Sequence, residues 1–177
     1  MTTTQPAQGT LPVSVATPVL DPSLAEDARH LAEGVGVLVR VIHFRDRDRA
    51  CCYDVSASQC YALKGVVEAG ALTVNQLAAY LYVDKSTASR IANSLVDKGY
   101  LVREVHPQDA RVVCLAPTGA GRALCAAILA DEERDYAELL KDFEPATRAE
   151  VHRLVGKLGR CFAAGVDASG GSCCVVK

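Results

Sequence analysis

Apolar residues recur at intervals of three and four along most of the chain, and each recurrence is bounded by residues that start or stop a helix. The first series is Leu24, Ala28, Leu31, Val35, Leu38, Val39 and Ile42, one face of a long amphipathic helix. Asp21 followed by Pro22 marks its start, a capping side chain ahead of a proline that has no amide to leave unbonded. It runs into the alternating charges at 45–49, which read as a solvated face. A second helix begins at Ser56, with Gln59 three residues on as a capping box, carries Cys60, Leu63, Val66 and Val67 inward, and stops at Gly70.

Thr73 and Gln76 repeat the capping box ahead of Val74, Leu77, Ala78 and Leu81, and the pattern breaks at Val83 and Asp84. Asp84 caps the next helix, in which Ala88, Ile91, Leu95 and Val96 recur and Gly99 supplies the stop. The spacing then predicts two short strands, Tyr100 to Val105 and Val112 to Leu115, joined by the turn residues at 106–111. Beyond them Thr118 caps a helix with Ala123, Leu124, Ala127, Ile128, Tyr136, Leu139 and Leu140 inward and 131–135 as its wet face. Pro145 opens a last helix with a stripe of Val151, Leu154, Val155, Leu158 and Phe162, ended by Gly165.

A helix, a turn, a second helix and a two-stranded wing form a compact device that lays one helix in the major groove of DNA. On the helix after Asp84, the residues left outside are Lys85, Ser86, Thr87, Ser89, Arg90, Asn93 and Ser94. These are short donors and cations of the kind that reach phosphates and base edges. The fold expected is mainly α with a small β wing, a winged helix-turn-helix in the α+β class.

The stretch resembles the MarR family of bacterial winged-helix transcription regulators. The resemblance is carried by Lys85-Ser86-Thr87 at the start of the recognition helix, Leu95 to Gly99 at its end, Asp109-Ala110-Arg111 in the wing, and Leu115 to Gly121 beyond it. Pro117 stands where the family usually has Leu before the threonine. At lower specificity the resemblance extends from about Asp21 to Phe162. It implies a MarR-like domain over 21–163, with a DNA-binding lobe at 55–117 and dimerisation helices at 21–49 and 118–163. The segments 1–20 and 164–177 are expected to be a flexible arm and a flexible tail. The helices at both ends have more apolar surface than one small lobe can cover, which predicts an intertwined homodimer, as the resemblance also implies. The partner expected is double-stranded DNA carrying a pseudo-palindromic operator, with Lys85, Ser86, Thr87, Ser89, Arg90, Asn93, Arg103 and Arg111 making the contacts.

Composition narrows this picture. The 177 residues are 50% hydrophobic, yet no run approaches the roughly 18 apolar residues of a membrane span. The start of the chain does not look like a signal peptide, so a cytoplasmic protein without membrane partners is expected. The net charge of −2 argues against blanket affinity for nucleic acid. Local charge from Lys85, Arg90, Lys98, Arg103 and Arg111 must supply it. No carboxylate pair, Ser/His/Asp arrangement or phosphate-binding glycine loop supports catalysis, and an enzyme is not expected.

Eight cysteines add a second theme. Cys60, Cys114, Cys125 and Cys161 fall in helices or strands, where a free thiol behaves as a small hydrophobe. The vicinal pairs Cys51-Cys52 and Cys173-Cys174 fall in a loop and in the tail, where burial gives no reason for adjacent thiols. They form a candidate thiolate sensor, with Cys60 as a further ligand, near the connection where effectors often bind in proteins this one resembles. Two sulfurs in line suit Hg(II) or Cu(I), three in a pyramid As(III), and four in a tetrahedron Zn(II). No obligatory cofactor is expected. A repressor released by such an ion, As(III) or Hg(II) foremost, is the reading favoured. The same thiols could instead respond to oxidation by disulfide formation, or the effector could be a small organic ligand. A thiol metal carrier or enzyme would account for the cysteines but not for the winged helix.

Overall fold

The computed structural model describes residues 21–49, 53–106 and 109–168. In chain order they form α1 (Pro22–Arg49), α2 (Ala57–Ala69), β1 (Leu72–Thr73), α3 (Val74–Leu81), α4 (Lys85–Asp97), β2 (Leu101–His106), β3 (Asp109–Pro117), α5 (Gly119–Leu140) and α6 (Pro145–Ala168). The chain divides into two compact units after Arg45. In the first, α1 keeps Leu24, Leu31, Val37, Leu38, Val41 and Phe44 exposed.

The second unit holds the core. Leu63 and Val66 of α2, Leu77 of α3, Leu95 of α4, Leu101 of β2 and Leu115 of β3 are buried together, and Cys125 and Ile128 of α5 close the cluster. Each aliphatic side chain so buried contributes about 1.5–3 kcal/mol relative to exposure. The helix starts are those the spacing predicts. Ser56 and Thr73 each accept from the amide three residues on, and Gln59 and Gln76 reciprocate, so both capping boxes are complete. Asp84 and Thr118 cap α4 and α5 in the same conformation.

Three expectations need correction. The wing is part of a three-stranded antiparallel sheet in the order β1-β3-β2, with Leu72 opposite Leu115 and Thr73 opposite Cys114. Two residues are too few to show a period of two, and Thr73 is also the cap of α3, so the strand leaves no separate trace in the sequence. Gly165 does not stop α6, which continues to Ala168. A helical glycine costs about 1 kcal/mol but ends a helix only where the chain turns. The break before α4 lies at Tyr82, which adopts a left-handed conformation (φ 53°) and caps α3 through its amide. That conformation costs a non-glycine residue about 1–2 kcal/mol, offset here by the bonds its amide makes to the end of α3.

The register of β2 and β3 aims their side chains. Leu101 faces Pro117 and Arg103 faces Leu115. Leu101, Leu115 and Pro117 are buried, so Pro117 serves as a core contact at the end of β3.

Beyond β3 the chain enters α5 through a tight junction. Thr118 donates its amide to the carbonyl of Tyr100 at 3.1 Å, and its hydroxyl donates to Gly99 O at 2.7 Å. Gly121 lies against the same Tyr100 carbonyl, and a Cβ there would collide with that oxygen, whereas a Cβ on Gly119 would meet open space. Gly121→Ala should therefore lower stability by about 1–3 kcal/mol through overpacking, and Gly119→Ala should leave it unchanged or raise it by up to about 1 kcal/mol. Urea unfolding of both variants measures the difference; equal effects would contradict the packing described.

Candidate nucleic-acid interface

The face of α4 turned inward consists of Ala88, Ala92 and Leu95, with Ile91 half-buried beside them. Those small and branched residues fix the helix against the core and leave the other face to solvent. Lys85, Ser86, Arg90 and Asn93 are exposed there, and Thr87 and Ser89 are half-buried. The amides of the first turn sit at the positive end of the helix dipole, a setting that favours anions.

Hydrogen bonds organise this face. The Asp84 carboxylate accepts from the Thr87 amide at 2.9 Å, the Thr87 hydroxyl at 2.7 Å and the Ser86 hydroxyl at 2.5 Å. Those bonds from the Ser86 hydroxyl, the Thr87 hydroxyl and the Thr87 amide hold its carboxyl well below the usual carboxylate range. Thr87 Oγ1 in turn accepts from Arg90 Nη2 at 3.0 Å. Farther along, Arg103 on β2 donates from Nη2 to Asn93 Oδ1 at 2.5 Å, so the wing is tied to the helix. Arg111 is exposed on β3.

Two residues expected to join this face do not. Ser94 turns toward α2, where its hydroxyl accepts from Gln59 Nε2 at 2.7 Å. Lys98, at the far end of α4, donates to the backbone carbonyl of Asp54 and to its carboxylate at 3.3 Å. A cation is well placed at that negative helix end. Lys85, Arg90 and Arg103 put positive charge on the outer face, and Arg111 is a further cation on the wing.

On the other side of α2 the expected wet face of α5 is only partly wet. Lys64 Nζ donates to both carboxylate oxygens of Glu132 at 2.5 Å, and the Tyr53 hydroxyl donates to Asp131 and to Ala127 O. Asp131 and Glu132 follow Cys125 and Ile128 at helical spacing, which turns both toward α2. Near them, Ser58, Tyr61, Tyr80, Leu81, Tyr82, Val83 and Ile91 line an open cleft of about 520 Å³ that no sequence pattern announced. Burial and the Glu68 carboxylate raise the Tyr80 phenol, which stays protonated.

The cysteines divide. Cys114 and Cys125 are buried, as expected of small hydrophobes, and burial pushes the Cys125 thiol up and away from reactivity. Cys60 is half-buried against the core. Cys161 is exposed on α6, contrary to its expected packing in the chain, because the apolar stripe of α6 is itself largely exposed. Cys51, Cys52, Cys173 and Cys174 lie outside the described residues. Among the described residues no group of three or more His, Cys, Asp or Glu side chains could hold a metal.

Residues 53–112, which hold α2 to α4 and most of the wing, match the MarR family model. An HTH-type transcriptional regulator of Mycobacterium bovis is 31% identical over 125 residues, a span covering 71% of this chain and 87% of that protein. The chain belongs to the MarR family. A putative transcriptional regulatory protein for the hcr operon of Thauera aromatica is 32% identical over 94 residues, or 51% of this chain and about half (53%) of that protein. Among solved structures, FabT of Streptococcus pneumoniae in complex with DNA shares the fold with a TM-score of 0.68 at 19% identity, over 76% of this chain and 96% of that one. MarR proteins are DNA-binding transcription regulators and not enzymes. No helix among the described residues is long and apolar enough to cross a membrane.

The Asp84 cap gives this family member a defined response to acid. A carboxyl held below its unfolded value adds stability that is present above the ordinary carboxylate range and lost as pH falls through its folded value. Asp84→Asn keeps a side-chain cap for α4 and removes that titration. Its melting temperature at neutral pH should stay near that of the parent while the decline below about pH 4 becomes shallower; Asp84→Ala should melt lower at both. Thermal melts across pH check this, and parallel acid limbs for parent and Asp84→Asn would contradict it.

Proposed function

We propose that the protein binds a pseudo-palindromic operator as a homodimer in the cytoplasm and represses until a thiophilic metal or metalloid releases it. One observation carries the DNA contact: α4 buries Ala88, Ala92 and Leu95 and presents a hydrogen-bonded row of hydroxyls and cations to solvent, next to a wing bearing Arg103 and Arg111. Ser86, Thr87, Ser89 and Arg90 are assigned to base edges or adjacent phosphates, Lys85 to the backbone and Arg111 to the minor groove. FabT, which shares the fold, was solved with DNA.

The dimer follows from surface that a single chain leaves wet. Leu31, Val41 and Phe44 of α1, Leu129 and Leu139 of α5, and Val155 and Phe162 of α6 are all exposed. A two-fold partner would cover such stripes, at about 25 cal/mol per Å² of apolar area removed from water. On this reading 55–117 is the DNA-binding lobe, and 21–49 and 118–163 supply the dimer helices.

The effector assignment rests on the vicinal thiols. Cys51 and Cys52 fall between α1 and α2 in the sequence, Cys60 lies on the first turn of α2, and Cys173 and Cys174 can complete the ligand set from the same or the partner chain. As(III) or Hg(II) is the favoured ligand class, with disulfide formation using the same atoms. The tyrosine-lined cleft between α2, α3 and α4 supports a second reading, in which a small organic ligand is the effector. In either case the ligand need prefer the non-binding dimer by only about 1–3 kcal/mol to lower operator affinity between 5- and 150-fold.

Arg90→Ala should weaken binding to the operator by roughly 1–3 kcal/mol if Arg90 reads a base. Unchanged affinity and preference for both Arg90→Ala and Arg111→Ala would refute the interface. Titration of the reduced protein on labelled operator with As(III), Hg(II), Cu(I), Zn(II) and peroxide tests the thiol site. Release should be lost in Cys51→Ser/Cys52→Ser and weakened in Cys173→Ser/Cys174→Ser. Parent-like responses from both double variants would leave the cleft as the better reading.

A further inference from the structure

The wing cation Arg103 sits in an unusual place for a surface side chain. It is opposite Leu115 in the sheet register, and cross-strand partners share a face, so it lies on the same side of β2 as the buried Leu101. The helical layer ends there, and the guanidinium turns over the exposed edge of α4 to donate from Nη2 to Asn93 Oδ1 at 2.5 Å. An amide oxygen has two lone pairs and no charge, so it can fix the guanidinium without neutralising it. A carboxylate in that position would cancel the cation. The Asn93 bond uses one of the five N–H donors of the fork, and both residues are exposed.

We infer that Asn93 is a positioning residue rather than a base reader: it holds Arg103 against α4 so that the guanidinium meets a DNA phosphate as a preset part of the reading head. This rests on the proposed DNA contact at α4 and sharpens it. A free arginine on a wing strand would lose its rotamer freedom on each encounter, whereas one already tied to the recognition helix has lost part of it beforehand. The same bond sets the distance between wing and helix, and with it the groove geometry the lobe accepts. Because the contact is to phosphate, it adds affinity on any sequence and carries no base preference.

The test compares the full-length protein with Asn93→Ala, Arg103→Ala and the double variant. Binding is measured on a duplex selected by the parent from a random pool and on an unselected duplex, each across a salt series. Loss of one phosphate contact reduces the slope of log affinity against log salt by about 0.9. Arg103→Ala should show that reduction per lobe on both duplexes. Asn93→Ala should reproduce a large part of it on both, and the double variant should bind no more weakly than Arg103→Ala alone. Melting temperatures should match the parent throughout, since both residues are exposed. If Asn93→Ala leaves the salt slope intact, changes affinity only on the selected duplex, or weakens the Arg103→Ala background further, Asn93 acts on DNA by itself and the clasp is wrong. If the parent selects no sequence from the pool yet the slopes behave as stated on unselected duplex, the clasp stands and operator recognition fails. If the parent does not bind either duplex, both fail.

Discussion

The carbonyl of Tyr100 is the point on which the lobe turns. The recognition helix ends just before it, with Gly99 in a left-handed conformation (φ 76°) and the Tyr100 amide donating back to Leu95 O at 2.9 Å. The wing begins just after it, at Leu101. The carbonyl itself receives the Thr118 amide at the start of α5, and Gly121 leaves room for it to approach that helix. Helix, wing and stem thus meet at one residue, Tyr100, through its amide and its carbonyl. A displacement of α5 cannot leave α4 where it was without breaking this junction or straining the backbone beside it. The path from α4 to α5 is short although the whole wing lies between them in sequence, because it runs from Leu95 through Tyr100 and across the hydrogen bond to Thr118.

The second requirement is electrostatic. A chain of net charge −2 cannot rely on a broad positive surface, so its cations must be placed. Lys98 is withdrawn to Asp54 and Lys64 to Glu132, both away from the outer face of α4. Arg90 and Arg103, by contrast, are held on that face by neutral acceptors, Thr87 Oγ1 and Asn93 Oδ1. Neutral acceptors orient a guanidinium and keep its charge for an anion outside the protein. The Asp84 carboxylate in the row turns its lone pairs to the first-turn donors Ser86 and Thr87. The arrangement restricts charge to a narrow strip while ordering the side chains that carry it.

Most of the helical framework could be read from the chain because its boundaries are encoded locally. Ser56 with Gln59, Thr73 with Gln76, Asp84, Thr118 and Pro145 each act through bonds or φ restrictions within a few residues, and the structure places helix starts at all of them. What escaped notice depends on residues far apart in sequence. The strand Leu72–Thr73 exists only by pairing with Cys114 and Leu115. Ser94 and Lys98 are polar residues on an exposed-looking helix and face Gln59 and Asp54 because α2 packs there. The acidic stretch of α5 looks uniformly wet until Lys64 and Tyr53 are brought against it. The outer-face residues of α4, Ser94 excepted, were recoverable from the helix pattern. Which of them are tied to one another, Thr87 to Arg90 and Asn93 to Arg103, was not, since a hydrogen bond leaves no periodic signal.

That the exposed strip of α4 and the wing meet DNA is tested most directly by backbone amide chemical shifts of the full-length protein, recorded as a selected operator duplex is added. The shifts should concentrate at Lys85 to Asn93 and from Arg103 to Arg111, with the core amides of α2 and the cleft residues Ser58, Tyr61 and Tyr80 nearly unmoved. Shifts gathered at the cleft or on α6, with the strip unmoved, would contradict it.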